Sequence, residues 1–134
     1  MSDFSIRKGL QARLLSMPGA VTTAKENSKF DPVDGVAYQT AELVPLPPDN
    51  PTYGDNFYRE KGFYRIRIHF PLQKGEGAAS LYAQQLRDWF KRGSSISVDG
   101  IDVRILRTPL IGSGVIFNNR YTRTIDVEYF ASIC

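Results

Sequence analysis

The stretch that decides the fold is "GFYRIRIHFPLQKGEG", residues 62–77. Its first half alternates apolar and polar residues, a period of two that is typical of a strand with one buried face. The apolar positions are Tyr64, Ile66, Ile68 and Phe70. Pro71 ends the alternation, and a glycine-spaced turn then leads into a helical pattern. We therefore expect this strand to pack its apolar face against the helix that follows.

Two segments have the periodicity of amphipathic helices. The first begins at Ser2 or Asp3 and stops at Pro18-Gly19. Its apolar stripe consists of Ile6, Leu10, Leu14 and Met17. The second follows the glycine-spaced turn and runs to Arg92, where Gly93 is a natural C-cap. Its apolar face consists of Ala79, Tyr82, Leu86, Trp89 and Phe90.

The other regular segments are strands. Residues 36–46 are extended, and "SISVDGIDVRIL" is a hairpin pattern in which Asp99-Gly100 forms the two-residue turn. "YTRTIDVEYFA" closes the chain as a strand, with Ile125, Val127 and Tyr129 on its apolar side. The order is helix, strand, strand, helix, then three or four strands. This predicts one α+β domain over residues 1–134, with two helices on a mostly antiparallel sheet.

Residues 47–61 lie between two of these strands and are rich in proline, glycine, Asp and Asn. The segment also carries Tyr53, Phe57 and Tyr58, and aromatic side chains in a loop indicate a contact. Two interpretations remain open. The segment is either a mobile arm that binds a partner, or a hairpin excursion folded onto its own domain.

Composition restricts the class of protein. The formal charge of +3 arises from 17 basic and 14 acidic residues, which permits weak attraction to polyanions without requiring it. Cys134 is the single cysteine, so a disulfide framework is excluded within the chain and a reducing cytoplasm fits best. The N-terminal segment mixes charges with apolar residues, which predicts a soluble protein with no signal peptide and no membrane span.

The sequence shows no pattern of catalytic chemistry. "QKGEGAAS" has its lysine on the wrong side for a phosphate loop, and Glu76 would repel the ligand. His69 is the only histidine and lies on the same strand face as Arg65 and Arg67, where a catalytic base is disfavoured. The acidic residues lack the spacing of a metal loop. We expect no enzymatic activity, no cofactor and no metal.

Charged residues on two strands indicate a different role. Arg65 and Arg67 form a basic strand face, and Asp126 and Glu128 form an acidic one. These strands can pair side by side in one sheet or across a boundary between subunits, and the second arrangement gives a head-to-tail contact. A nucleic-acid surface is a further interpretation, because Phe63 lies beside the arginines and is able to stack on bases.

Four segments carry a resemblance to a known family. They are "KFDPVDGVAYQTAELVPLPPD", "GFYRIRIHFPLQKGEGAASLYAQQLRDWFKRG", "VRILRTPLIGSG" and "YTRTIDVEYFA". Together they resemble the small tail terminator proteins of long-tailed bacteriophages. The shared features are the Phe30 to Pro32 turn, the "FP" and glycine-rich turn from Phe70 to Gly77, the helix end from Trp89 to Gly93, and the closing Phe130 and Ala131.

The resemblance implies a structural protein of the virion tail that is assembled in the host cytoplasm. Such a protein forms a ring, expected to be a hexamer, on the head-proximal end of the tail tube and ends tube polymerisation. Its expected partners are other copies of itself, the tail tube protein and the head–tail connector protein. Genome DNA would pass through the ring, and the free protein is expected to be a monomer.

The family's motifs do not assign interface residues. Tyr53, Phe57, Tyr58, Arg65, Arg67, Asp126 and Glu128 are therefore predicted interface residues on the reasoning above. Two alternative functions stay open from the sequence. One is another small head–tail joining or tail completion protein, and the other is a nucleic-acid-binding accessory protein.

Overall fold

The computed structural model describes residues 2–24, 37–49, 58–72, 75–117 and 120–133. They form two helices and eight strands. The elements are α1 (Ser2–Leu15), β1 (Thr22–Ala24), β2 (Tyr38–Asp49), β3 (Tyr58–Pro71), α2 (Gly75–Trp89), β4 (Ser95–Val98), β5 (Ile101–Ile105), β6 (Leu110–Ile111), β7 (Val115–Phe117) and β8 (Arg120–Ile133). The predicted α+β class with two helices is confirmed.

One sheet contains all the described strands. Its order is β1-β2-β3-β8-β5-β4, and β6 and β7 pair with β8 beside β5. Every pairing among the described strands is antiparallel except that of β1 with β2. The two 14-residue strands β3 and β8 pair along their whole length and form the centre of the sheet.

Both helices pack on the same face of the sheet. The alternation in β3 places Tyr64, Ile66 and Ile68 under them, where each is at most 2% exposed. The predicted stripe of the first helix is buried in the same cluster, although Met17 lies beyond the end of α1. Leu86 of α2 and Phe90, which directly follows α2, belong to the cluster as well. The two helices also contact each other, since Trp89 Nε1 donates to the Arg13 carbonyl at 2.7 Å and Arg13 Nη2 donates to the Trp89 carbonyl at 2.9 Å.

The β4–β5 hairpin forms as its sequence predicts. Asp99 and Gly100 both have positive φ, 49° and 78°, which is what a two-residue turn of this type requires. The turn also holds α1 in place, because the Asp99 carboxylate accepts hydrogen bonds from Ser5 Oγ at 2.9 Å and from Lys8 Nζ at 3.5 Å.

The predicted loop at 47–61 is shorter than expected. Residues 47–49 continue β2, and residues 58–61 begin β3, with a bulge between Leu46 and Asp49. Prolines are tolerated here because no other described strand pairs with β2 beyond residue 40, so no ladder hydrogen bond is lost on that side. The expectation of a mobile arm now concerns residues 50–57, which lie outside the described residues.

A buried polar network attaches the β1–β2 pair to α2. Gln39 is fully buried, accepts a hydrogen bond from the Tyr82 hydroxyl at 2.7 Å, and donates to Thr23 Oγ1 at 2.8 Å. The sequence did not predict β1, because three residues are too few to show a period. The burial of these polar groups is tolerated because each has a partner.

Candidate assembly surface

The face of the sheet opposite the helices is not covered by any described helix or strand, and it is termed the open face here. Strand partners in an antiparallel register share a face, so the outward residues of β3 identify those of its neighbours. The central residues of the open face are Glu42 of β2, Phe63, Arg65, Arg67 and His69 of β3, and Thr122, Thr124, Asp126 and Glu128 of β8.

Arg65 and Asp126 lie directly opposite each other in the register and form an ion pair within the chain. The distance from Arg65 Nε to Asp126 Oδ1 is 2.9 Å, and both side chains are partly buried. The hydrogen bond and the charge of Asp126 raise the pKa of Arg65 above its ordinary value. Of the two arrangements left open by the sequence, the side-by-side one is present for this pair.

The other two predicted charges also have partners in the chain. Arg67 Nη1 is 2.7 Å from Glu42 Oε1, and Arg107 Nε is 3.0 Å from Glu128 Oε2. The sequence did not identify Glu42 or Arg107, because the register between strands cannot be read from one segment. The outward alternation of Thr40, Glu42 and Val44 in β2 was the available signal.

Exchanging the charges of Arg65 and Asp126 would be the usual test of a contact between subunits, but these pairings within the chain change what it measures. Arg65→Glu would place two carboxylates opposite each other in one subunit, and Asp126→Lys would restore the pair in that same subunit. Rescue of assembly would therefore report the stability of the single chain. The role of Arg65, Arg67, Asp126 and Glu128 in a contact between subunits stays a prediction.

The aromatic candidates of the predicted arm are only partly covered by the structure. Tyr53 and Phe57 lie outside the described residues. Tyr58 begins β3 opposite Ile133, and the position of its side chain is likewise outside the description. Their proposed contact with a partner stays a prediction.

His69 is held in a stack at one end of the open face. Its ring is 4.5 Å from that of Tyr38 with an interplanar angle of 18°, and Nδ1 lies 3.0 Å from Thr122 Oγ1. The Arg120 guanidinium covers the Tyr38 ring at 4.9 Å. Burial lowers the pKa of His69 below its ordinary value, and the charges of Arg120 and Arg67 lower it further.

This environment predicts a stability loss in mild acid. Below a pH of about 6.5 the unfolded chain binds a proton on His69 that the folded chain resists, so the free energy of unfolding falls as the pH drops. His69→Gln removes this titration and keeps a polar side chain. We expect urea denaturation at pH 7.5 and pH 5.5 to show a larger loss for the wild type than for His69→Gln. Equal losses would contradict the buried neutral state of His69.

The margin of the open face beside β8 is apolar. Leu110 and Val115 lie opposite Asp126 and Thr122 in the register and are 64% and 59% exposed. Their backbone is anchored, since Arg87 Nε donates to the Pro109 carbonyl at 3.0 Å and Arg123 donates twice to the Gly112 carbonyl, at 2.9 and 2.8 Å. A fixed segment that exposes large apolar side chains is typical of a contact surface.

The comparisons with known proteins identify the family. Residues 5–129 match the family described as "Phage tail terminator protein". The chain belongs to this phage tail terminator family. It is thus a structural protein of the bacteriophage tail, and the resemblance found in the sequence is confirmed.

The other comparisons add the fold alone. A solved structure superposes on the terminator chain with a TM-score of 0.80 at 22% sequence identity, and the match covers 100% of this chain and 98% of the other. A search of curated proteins found no match. In the described part of the terminator chain, no helix is long and apolar enough to cross a membrane.

Proposed function

We propose that this terminator chain caps the head-proximal end of the tail tube as a ring, ends tube polymerisation, and provides the surface to which the head is joined. The observation that carries the proposal is the family match over residues 5–129. The exposed apolar margin of the open face supports it, because a subunit that acts only in an assembly must keep contact surface available.

The proposed partners follow from this role. They are other copies of the chain in a hexameric ring, the tail tube protein, and the head–tail connector protein, with genome DNA passing through the opening. We propose that the subunit is a monomer in the host cytoplasm and forms the ring on the tube end. The contact between copies is head-to-tail, so it joins two different patches of the surface.

We propose that Leu110 and Val115 form part of one of these patches. Both side chains project from the open face beside Asp126 and Thr122, and Arg87 and Arg123 fix the backbone that carries them. An ordered apolar margin loses little conformational freedom on binding, so its burial contributes to affinity more fully than that of a mobile segment.

Ending a polymer requires two unlike surfaces. The terminator must bind the last tube ring more tightly than the next tube subunit does, and its opposite surface must not accept another tube subunit. Neither requirement involves bond chemistry. Arg65 and Arg67 are both paired with carboxylates, which leaves them less able to neutralise phosphates and favours this role over nucleic-acid binding.

Tube assembly in solution tests the proposal. Purified tube protein of the same phage would be allowed to polymerise with increasing amounts of the terminator chain, and tube lengths would be measured by electron microscopy. We expect shorter tubes with density at one end. Unchanged tube lengths at saturating terminator concentration would contradict the proposal, and bovine serum albumin at the same concentration is the control.

A further inference from the structure

The two lateral edges of the sheet differ in protection. On one side, the unpaired part of β2 contains Pro45, Pro47 and Pro48, which lack an N–H group and hinder the addition of a further strand. On the other side, β4 ends the sheet and reads Ser-Ile-Ser-Val, with no proline and no charge. Natural proteins usually protect the edge strand of a sheet with proline or charged residues, so an unprotected edge indicates a surface that pairs with another strand.

The register of the hairpin shows which groups β4 presents. Ile105 N–H donates to the Ser94 carbonyl. Two residues further along each strand, Ile96–Val103 and then Val98–Ile101 are the next hydrogen-bonded pairs of the ladder. Because the bonded residues alternate in an antiparallel ladder, the N–H and C=O groups of Ser95 and Ser97 point away from β5. Within the described residues, no other strand pairs with them.

A groove of about 390 Å³ runs along this edge. All four β4 residues line it, although the side chains of Ser95 and Ser97 lie on the opposite face of the sheet from those of Ile96 and Val98. The groove therefore extends along the whole length of β4. Its other wall is α1, which contributes Lys8, Gly9, Ala12 and Arg13, together with Ser16 just after the helix.

One groove residue has a buried donor without an acceptor. The guanidinium of Arg13 lies 4.4 Å from the centre of the Trp89 ring and donates from Nη2 to the Trp89 carbonyl. Its Nε is buried and has no hydrogen-bond partner in the described part of the chain. An unmatched buried donor costs about 1–3 kcal/mol, so an acceptor that reached it would offset that cost.

We propose that the β4 edge and its groove bind an extended, acidic segment of another protein by strand addition. The outward groups of Ser95 and Ser97 would bond to the backbone of the segment, and a carboxylate would approach Lys8 and Arg13. The match is one of charge, because both ionisable residues of α1 in the groove are cationic, and the contact of Lys8 with Asp99 is a long one of 3.5 Å between exposed side chains.

The dimensions favour a linear segment over a second copy of the chain. Four strand residues span about 13 Å, at roughly 3.3 Å per residue. One added strand of that length buries far less surface than the roughly 800 Å² per partner of a standard protein interface. The proposal does not depend on the ring proposed above, since the β4 edge lies on the far side of β5 from β8.

Amide chemical shifts of the ¹⁵N-labelled full chain test the proposal. The probe is a blocked peptide, TVTETVT, whose valines and glutamate fall on one side of an added strand. We expect shifts in β4 and in α1, and an affinity at least tenfold higher than that of the matched peptide TVTKTVT. Ser97→Pro removes the outward N–H without removing a β4–β5 hydrogen bond and should abolish binding, whereas Ser97→Ala keeps the N–H and should bind normally.

Three results of the peptide titrations would overturn the proposal. They are the absence of shifts in β4 at millimolar TVTETVT, equal binding of the two peptides, and unchanged binding by Ser97→Pro. If thermal melting shows that Ser97→Pro does not fold, Lys8→Glu is the second variant, and an affinity that falls less than threefold counts against the proposal. Shifts in β4 that grow with protein concentration alone would assign the edge to a second copy and would also overturn it.

Discussion

Gly62→Ala is expected to destabilise the protein by about 2–3 kcal/mol, because the backbone of β2 leaves no room for a side chain at this glycine of β3. A Cβ at this position would overlap the Val44 carbonyl oxygen and would come within 2.9 Å of the Tyr129 hydroxyl and 3.0 Å of Pro45 Cα. Backbone atoms of a paired strand cannot move aside cheaply. We expect the melting temperature, followed by circular dichroism, to fall by roughly 10 °C.

Gly77→Ala is the matched control for this variant. Gly77 lies in α2, and a Cβ there would meet no atom within 4 Å. Alanine reduces the entropy of the unfolded chain and favours the helix, so we expect a gain of about 0.5 kcal/mol. If the two variants melt at the same temperature, the close approach of β2 and β3 at Gly62 is wrong.

Leu110→Asp combined with Val115→Asp is expected to prevent capping while leaving the subunit folded. Both side chains are more than half exposed, so the free subunit loses little beyond about 0.2–1 kcal/mol for the carboxylate that Leu110→Asp places opposite Asp126. If the proposed contact buries them, two uncompensated carboxylates would cost about 3 kcal/mol in total, which weakens assembly roughly a hundredfold. The tube-length assay described above measures this loss.

Phe4→Asp is the control for the assembly variant. Phe4 is 60% exposed on α1 and lies away from the open face. Phe4→Asp therefore also replaces an exposed apolar side chain by a carboxylate, but on a different surface of the subunit. We expect it to cap tubes like the wild type. Normal capping by the double variant would remove Leu110 and Val115 from the proposed contact without affecting the family assignment.

Local patterns in the sequence predicted most of the fold. The alternation in β3 identified both faces of the central strand, and Asp99-Gly100 identified the hairpin because both residues need positive φ. The prolines of β2 were misleading. They usually end a strand, yet β2 continues to Asp49 because its outer side has no described partner beyond residue 40.

The candidate surface was only partly predictable. The outward positions of Arg65 and Asp126 follow from a period of two, but their ion pair requires the register of β3 against β8, which depends on contacts along the whole strand. Leu110 and Val115 were missed because Pro109 and the "GSG" at residues 112–114 indicated only a turn or a bulge. Two arginines distant in sequence, Arg87 and Arg123, give that segment its fixed position.

The length distribution of tails from a phage that lacks this gene tests the central claim most directly. Without the terminator, tube growth has no defined end, so electron micrographs should show headless tails of excess and uneven length. Expression of the wild-type chain in the same cells should restore a single length. Headless tails of normal, uniform length would contradict a terminator and would indicate a head–tail joining protein instead.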